Sequence, residues 1–167
     1  MALVFLSYCR EADSALAHLL ETELNARGDR AFLDVKILPG GKFNEPLLMI
    51  LEQADAVAVI LSPQAVQRNS EYQALEVAAA MKAGKRIVPV VTPNFDWEAA
   101  KQVAPWVGEI QQFNAVVTSF DYRDAFIERL VRFTRPPIRP QEALKGLRLP
   151  GSLRRMLLGK PWWQFWR

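Results

Sequence analysis

Asp55-Ala56-Val57-Ala58-Val59-Ile60-Leu61-Ser62-Pro63 is the stretch on which the fold turns. Its six apolar residues run without a break and stop at Ser62-Pro63, which describes a strand buried on both faces. Leu3–Leu6 is a shorter run of the same kind. Arg86–Val91 is another, although Pro89 inside it demands a special position or a strand end. Arg30–Leu33 reads as a strand that ends at Asp34, and Ala115–Ser119 as a short fifth one.

Helical patterns separate these runs. From Asp13 onward Leu16, Leu19, Leu20 and Leu24 share a face, and Gly28 supplies the stop. Asn44 to Gln53 gives a short helix. Ser62 to Asn69 reads as a polar connection to a helix opened by Ser70, with Gln73 at the capping-box spacing, that runs to about Ala83 before Gly84. Trp97–Val103 is a weak helix in the poorly patterned region 93–113. Asp121 starts the last helix, with Phe126, Leu130 and Phe133 on one face and Pro136-Pro137 after it.

Helices alternating with buried strands imply an α/β domain, a parallel sheet covered on both faces. Five strands suit the flavodoxin-like arrangement, spatial order 2-1-3-4-5, in which ligands bind at the carboxyl ends of the strands where the order reverses. That crevice lies between the first and third strands. Ser7–Glu11 would line one side, and Ser62 through the start of the Ser70 helix the other. Asp34 and the bent loop around Pro39-Gly40-Gly41 would flank it. In the Ser70 helix Tyr72 and Glu76 lie four apart, one turn in. From the residues alone that face is either a binding platform with a reactive group or a solvated helix face.

Composition narrows the chemistry. Half of the 167 residues are hydrophobic, enough for one packed domain. No apolar run reaches the roughly 18 residues of a membrane span, and the short N-terminal run lacks the basic flank of a signal peptide. A cytoplasmic protein is the expectation. Cys9 and His18 are the only residues of their types, so no disulfide, zinc site or Cys–His nucleophile pair is expected. Catalysis would have to run on carboxylates, hydroxyls, Arg or Lys. The chain also lacks a G-x-G-x-x-G after its first strand, a P-loop, a G-x-S-x-G elbow and the strand-end acids that would hold Mg²⁺ in a phospho-receiver.

Charge divides the chain in two. Residues 1–135 hold 14 basic and 17 acidic side chains, whereas 136–167 hold 7 and 1. The second segment also carries five of the eleven prolines and three of the five tryptophans. Lys160-Pro161-Trp162-Trp163-Gln164-Phe165-Trp166-Arg167 sets aromatics beside cations, which suits a membrane interface, a partner groove, nucleic acid by stacking plus charge, or a strap over the domain's own surface. The expected organisation is a domain over 1–135 and a basic, Pro/Trp-rich extension over 136–167. Nucleic acid is not expected as a partner of the domain itself.

Five stretches together carry a family resemblance. Val4-Phe5-Leu6-Ser7-Tyr8 resembles the first box of Toll/interleukin-receptor (TIR) domains. Phe32-Leu33-Asp34 with Leu38-Pro39-Gly40-Gly41-Lys42-Phe43 resembles the family's second strand and flexible loop. Val59-Ile60-Leu61-Ser62-Pro63 resembles its third-strand motif, Ser70-x-Tyr72-x-x-x-Glu76 its S-x-W-x-x-x-E, and Ile87-Val88-Pro89-Val90 its fourth strand. The resemblance spans roughly residues 1–135. It implies either an enzyme that cleaves NAD⁺ between nicotinamide and ribose or a non-catalytic scaffold that signals by self-association. In the enzymes the motif glutamate is essential, which makes Glu76 the catalytic candidate. Tyr8, Arg10, Asp34, Phe43, Ser70 and Tyr72 become substrate-binding candidates, with Tyr72 standing where Trp is usual.

The resemblance further implies NAD⁺ as substrate with no separate cofactor, and linear or cyclic ADP-ribose as product. It implies activation by self-association through loop 35–43, and a role in immune defence or toxin-like NAD⁺ depletion. The extension, 150–167 in particular, would dock a partner protein or a membrane surface.

Overall fold

The computed structural model describes residues 1–33, 45–68 and 71–136, and Met1–Arg135 forms a compact unit. In chain order the elements are β1 (Leu3–Ser7), α1 (Arg10–Ala26), β2 (Arg30–Leu33), α2 (Glu45–Gln53), β3 (Ala56–Leu61), α3 (Pro63–Arg68) and α4 (Glu71–Lys82). They continue with β4 (Arg86–Val91), α5 (Trp97–Val103), α6 (Trp106–Ile110), β5 (Val116–Val117) and α7 (Arg123–Thr134). The strands form one parallel sheet in the order β2-β1-β3-β4-β5. The α/β class, the strand order and the helical cover are those the sequence implies.

Strand alternation divides the core. Val57, Val59 and Leu61 of β3 join Phe5, Val77, Ile87, Val91 and Ile110 in one buried cluster, beneath α2, α4, α5 and α6. Ala58 and Ile60 join Val4, Leu6, Leu20, Leu24, Ile127 and Leu130 in the other, beneath α1 and α7. All six residues of β3 are fully buried, which is what an unbroken apolar run at the centre of a covered sheet requires.

Pro89 sits inside β4 opposite Val59. Thr92 N–H donates to Leu61 O, so even-numbered N–H groups of this strand point at β3 and position 89 points toward β5. Pairing with β5 begins only at Val90 opposite Val116, so the missing N–H removes no ladder bond. Strand β5 itself is two residues long, Val116–Val117, where the sequence suggests five.

Three further details differ from the sequence reading. The supposed connection after Leu61 contains α3, opened by Ser62, whose Oγ accepts from Ala65 N–H at 3.1 Å, and by Pro63 at the first helical position. The region after Trp97–Val103 holds a second short helix, α6. Helix α1 starts at Arg10, leaving only Tyr8 and Cys9 between it and β1. Gly28 and Gly84 end α1 and α4 as expected, with φ of 82° and 63°. At each, the next residue's N–H reaches back five residues, Asp29 to Leu24 O and Lys85 to Ala80 O.

The amino-terminal edge of the sheet is clamped by polar bonds. Asp29, buried, accepts from Ala2 N–H at 2.8 Å and from Arg135 Nε at 3.1 Å on both oxygens. Arg135 also donates to Arg27 O, and Arg86 donates to the carbonyls of Thr134 and Arg135. Asp55 accepts from Leu3 N–H at 2.8 Å. Replacing Asp29 by Ala leaves the buried Ala2 N–H without its acceptor, and should cost about 2 kcal/mol in urea unfolding. An unchanged midpoint would show that the clamp contributes nothing to stability.

Candidate functional site

At the opposite edge the strands end in polar residues. Val4 and Leu6 turn to the α1 face, so Phe5 and Ser7 turn to the α4 face, and Ser7 is wholly buried. Helix α4 meets it with an unusual inner stripe. Its buried residues are Gln73, Glu76, Val77 and Ala80, whereas Leu75 is half exposed. Burying an amide and a carboxylate while a leucine stays in water reverses the ordinary preference.

The buried polar groups are hydrogen-bonded, as their removal from water requires. Ser7 Oγ donates to Glu76 Oε2 at 2.5 Å, with Glu76 only 3% exposed. Gln73 Nε2 donates to Ile60 O at 2.8 Å and lies 3.4 Å from Ser7 O. The register of β1 and β3 ends at Ser7 opposite Val59. Ile60 O, just past that end and facing β1, therefore lacks a strand partner, and the Gln73 amide supplies one. The strand ends where the order reverses are thus covered by α4.

A second buried carboxyl lies at the same edge. Asp13, in the first turn of α1, is 5% exposed, and its Oδ2 has no hydrogen-bond partner among the described residues. Burial pushes its pKa up, and hydrogen bonding from Ser62 at the end of β3 offsets only part of that rise. Adjacent strands thus end in serines, Ser7 and Ser62, each beside a buried carboxyl carried by a different helix. Cys9, buried between β1 and α1, has its thiol pKa raised by burial and then by its contact with Glu11.

The candidate residues fall in different settings. Glu76 is buried at the crevice. Tyr72, one turn earlier, is 61% exposed, because the inward stripe of α4 runs through Gln73, Glu76 and Val77. Tyr8 is partly buried against the core beneath α1, and Arg10 is exposed at the first position of α1. Asp34, Phe43, Ser70 and loop 35–43 lie outside the described residues. Sequence reasoning named no site role for Ser7, Asp13 or Ser62 individually, and read Gln73 only as a capping-box partner of Ser70, whereas its amide bonds to Ile60 O. For Ser7 a signal exists: it has the parity of Phe5, and so belongs to the face that receives α4. Among the described residues no cluster of three or more His, Cys, Asp or Glu could hold a metal, and no helix is long and apolar enough to cross a membrane.

Comparison with known proteins adds a family. The model of the TIR domain family matches residues 4–131. The chain is similar to the NAD(+) hydrolase sarm1 of Drosophila melanogaster, 36% identical over 138 residues, covering 79% of this chain and 10% of that protein. It is 34% identical over 136 residues to the NAD(+) hydrolase SARM1 of Danio rerio, covering 78% of this chain and 19% of that protein. It therefore spans between a tenth and a fifth of the length of these relatives. In fold it is similar to the TIR domain of the Toll-related receptor TRR-2 of Hydra magnipapillata. There the TM-score is 0.58 at 18% identity, covering 80% of this chain and 98% of that one.

Asp13 makes a prediction about stability and pH. Its folded pKa is raised, so the folded domain binds this proton more tightly than the unfolded chain. Its contribution is complete below the ordinary carboxylate range and is lost as pH rises through the raised value. Asp13→Asn should flatten that part of the stability–pH curve measured by urea unfolding. An Asn variant with the wild-type slope would assign the slope to other groups.

Proposed function

The chain belongs to the TIR domain family, and from that premise we propose that it is an NAD⁺ nucleosidase. The observation that carries the reading is Glu76, a buried carboxyl at the strand-order reversal, standing at the glutamate position of the family's helix motif. Two relatives described as NAD(+) hydrolases match this region at more than 30% identity, which supports the same substrate here.

The chemistry suits a site with few catalytic groups. Cleaving an ordinary glycoside requires an acid to protonate a poor leaving group. Nicotinamide leaves NAD⁺ as a neutral molecule once the bond from its nitrogen to the ribose C1′ breaks, and it needs no such acid. The bond's electron pair neutralises the pyridinium, and positive charge develops on the ribose. A carboxylate held nearby in a dry site stabilises that charge electrostatically. Water then adds at C1′ and loses a proton, giving ADP-ribose; capture by an atom of the same molecule gives a cyclic variant.

In this reading Glu76 faces the ribose. Tyr72, exposed one turn earlier, and Arg10, exposed at the start of α1, bind the dinucleotide together with Tyr8, Asp34, Phe43 and Ser70. Self-association through loop 35–43 brings a second copy to the site and switches it on, in the service of immune defence or NAD⁺ depletion. Residues 136–167 form an extension distinct from the catalytic domain. Its aromatic and basic end, 150–167, docks a partner protein or membrane surface in the cytoplasm.

The test is chromatographic. Concentrated wild-type protein should release nicotinamide from NAD⁺, and Glu76→Ala should lower the rate by about 100-fold or more. No release from concentrated wild-type protein would leave the scaffold reading in its place. Equal release by the variant would keep the enzyme and remove Glu76 from its assigned role.

A further inference from the structure

A carboxylate that stabilises a developing cation has to be ionised and held in one place. A glutamate side chain ensures neither, since it has several rotatable bonds and burial favours its neutral form. Something else must supply both. Among the described strands beside Glu76, none carries a cation at this edge of the sheet. Leu3–Ser7 and Ala56–Leu61 carry no ionisable side chain, and the single one of β4, Arg86, stands at the other edge of the sheet. The ionisable residues of α2 are Glu45 and Glu52, and the Glu52 carbonyl accepts from Lys85, next to Arg86 at that other edge. Helix α4 itself carries Glu71, Tyr72 and Lys82, and the chain after Ser7 brings Tyr8, Cys9 and Arg10.

Ser7 meets Glu76 directly. Its Oγ lies 2.5 Å from Oε2, with both residues buried. An O–H···O separation of about 2.5–2.7 Å is the range of a hydroxyl donating to an ionised oxygen. The serine ends β1, which pairs with β2 over Leu3–Leu6 and with β3 as far as Ser7 opposite Val59, so the donor sits on a hydrogen-bonded strand end. Gln73, one turn before Glu76, bonds to the carbonyl of Ile60 and lies within reach of that of Ser7, which fixes the rotation of α4 about its axis.

We propose that Ser7 is a positioning residue for glycosidic cleavage: its hydroxyl donates to Glu76 Oε2, fixes the carboxylate beside the reacting sugar and favours its ionised form. The inference rests on Glu76 being the group that faces the ribose, and it adds the residue that makes Glu76 competent. Ser7 does not touch substrate. Its effect therefore falls on the chemical step and on the pH at which that step switches on.

The experiment uses the full chain with Ser7→Ala, Ser7→Cys and Ser7→Thr. Cys keeps the shape with a weak donor, and Thr keeps the hydroxyl. Ala and Cys should lower kcat for nicotinamide release by about tenfold or more while KM changes by less than about threefold. They should also move the acid limb of the kcat/KM profile up by about one pH unit, because a donor that favours the ionised form is gone. Thr should restore the limb. A purely structural serine would lower the rate equally at every pH and leave the limb in place.

A second arm needs no turnover. The carbon-13 signal of the Glu76 carboxyl, assigned by its loss in Glu76→Gln, should titrate at higher pH in the Ala and Cys variants than in wild type. Wild-type titration midpoints in both variants would overturn the proposal, and if Ala fails to fold then Cys alone decides it. Absence of nicotinamide release from wild type would remove the NAD⁺ reading only, with the carboxyl titration still deciding whether Ser7 sets the state of Glu76.

Discussion

A carboxylate taken out of water must be hydrogen-bonded, and here that requirement ties α4 to the end of β1. The apolar residues on the inner stripe of α4 are Val77 and Ala80, too small to fix the rotation of a helix by packing alone. Gln73 and Glu76 do what a pair of leucines would do elsewhere. One residue's rotation about the helix axis would strand a buried amide and a buried carboxyl together, each at a cost of a few kcal/mol by ordinary desolvation. The register of α4 is therefore set by polar geometry. The same small residues let the helix lie close enough for a serine hydroxyl to reach it.

The two edges of the sheet divide their work. At the amino-terminal edge Asp29, Asp55, Arg86 and Arg135 bond to the backbone, and Asp29 and Arg135 also to each other, joining the start of β1 to the turn after α1 and the end of α7. At the carboxyl-terminal edge the buried polar side chains bond to strand ends and to one another, as an open sheet allows where neighbouring strands diverge. A firmly tied far edge allows unusual burial at the near one. Pro89 shows the same economy in the ladder: its missing N–H points where β5 has not yet begun.

The strands and long helices were legible because their periods are long enough to count. Six apolar residues in β3, the leucine stripe of α1 and the glycines after α1 and α4 each state one conformation. Helices α3 and α6, at six and five residues, complete too few turns for a stripe to form, although Ser62-Pro63 carries the start signal of α3 in plain view. At the candidate site, Glu76 was named through family resemblance, and the inward face of Ser7 follows from strand parity with Phe5. The burial of Asp13 and Gln73 was not legible. Whether a polar side chain on a helix turns inward depends on what the sheet beneath leaves unsatisfied, and that is a tertiary fact.

Asp13 and Glu76 show why neighbouring carboxyls need not be equivalent. Each is buried, each is carried by a helix, and each lies beside a serine that ends or follows a central strand. The serines are used differently. Ser62 Oγ also accepts from Ala65 N–H to open α3, and what it offers Asp13 leaves Oδ2 without a partner among the described residues and the pKa raised. Ser7 Oγ is given to Glu76 at 2.5 Å. Burial raises the Asp13 pKa, and a carboxyl with a raised pKa is less ready to carry negative charge beside a developing cation. A carboxyl that receives a short O–H bond is the one able to oppose positive charge. In the proposed reading the hydrogen bond each acid receives is what distinguishes Glu76 from Asp13, since depth of burial is nearly the same for both.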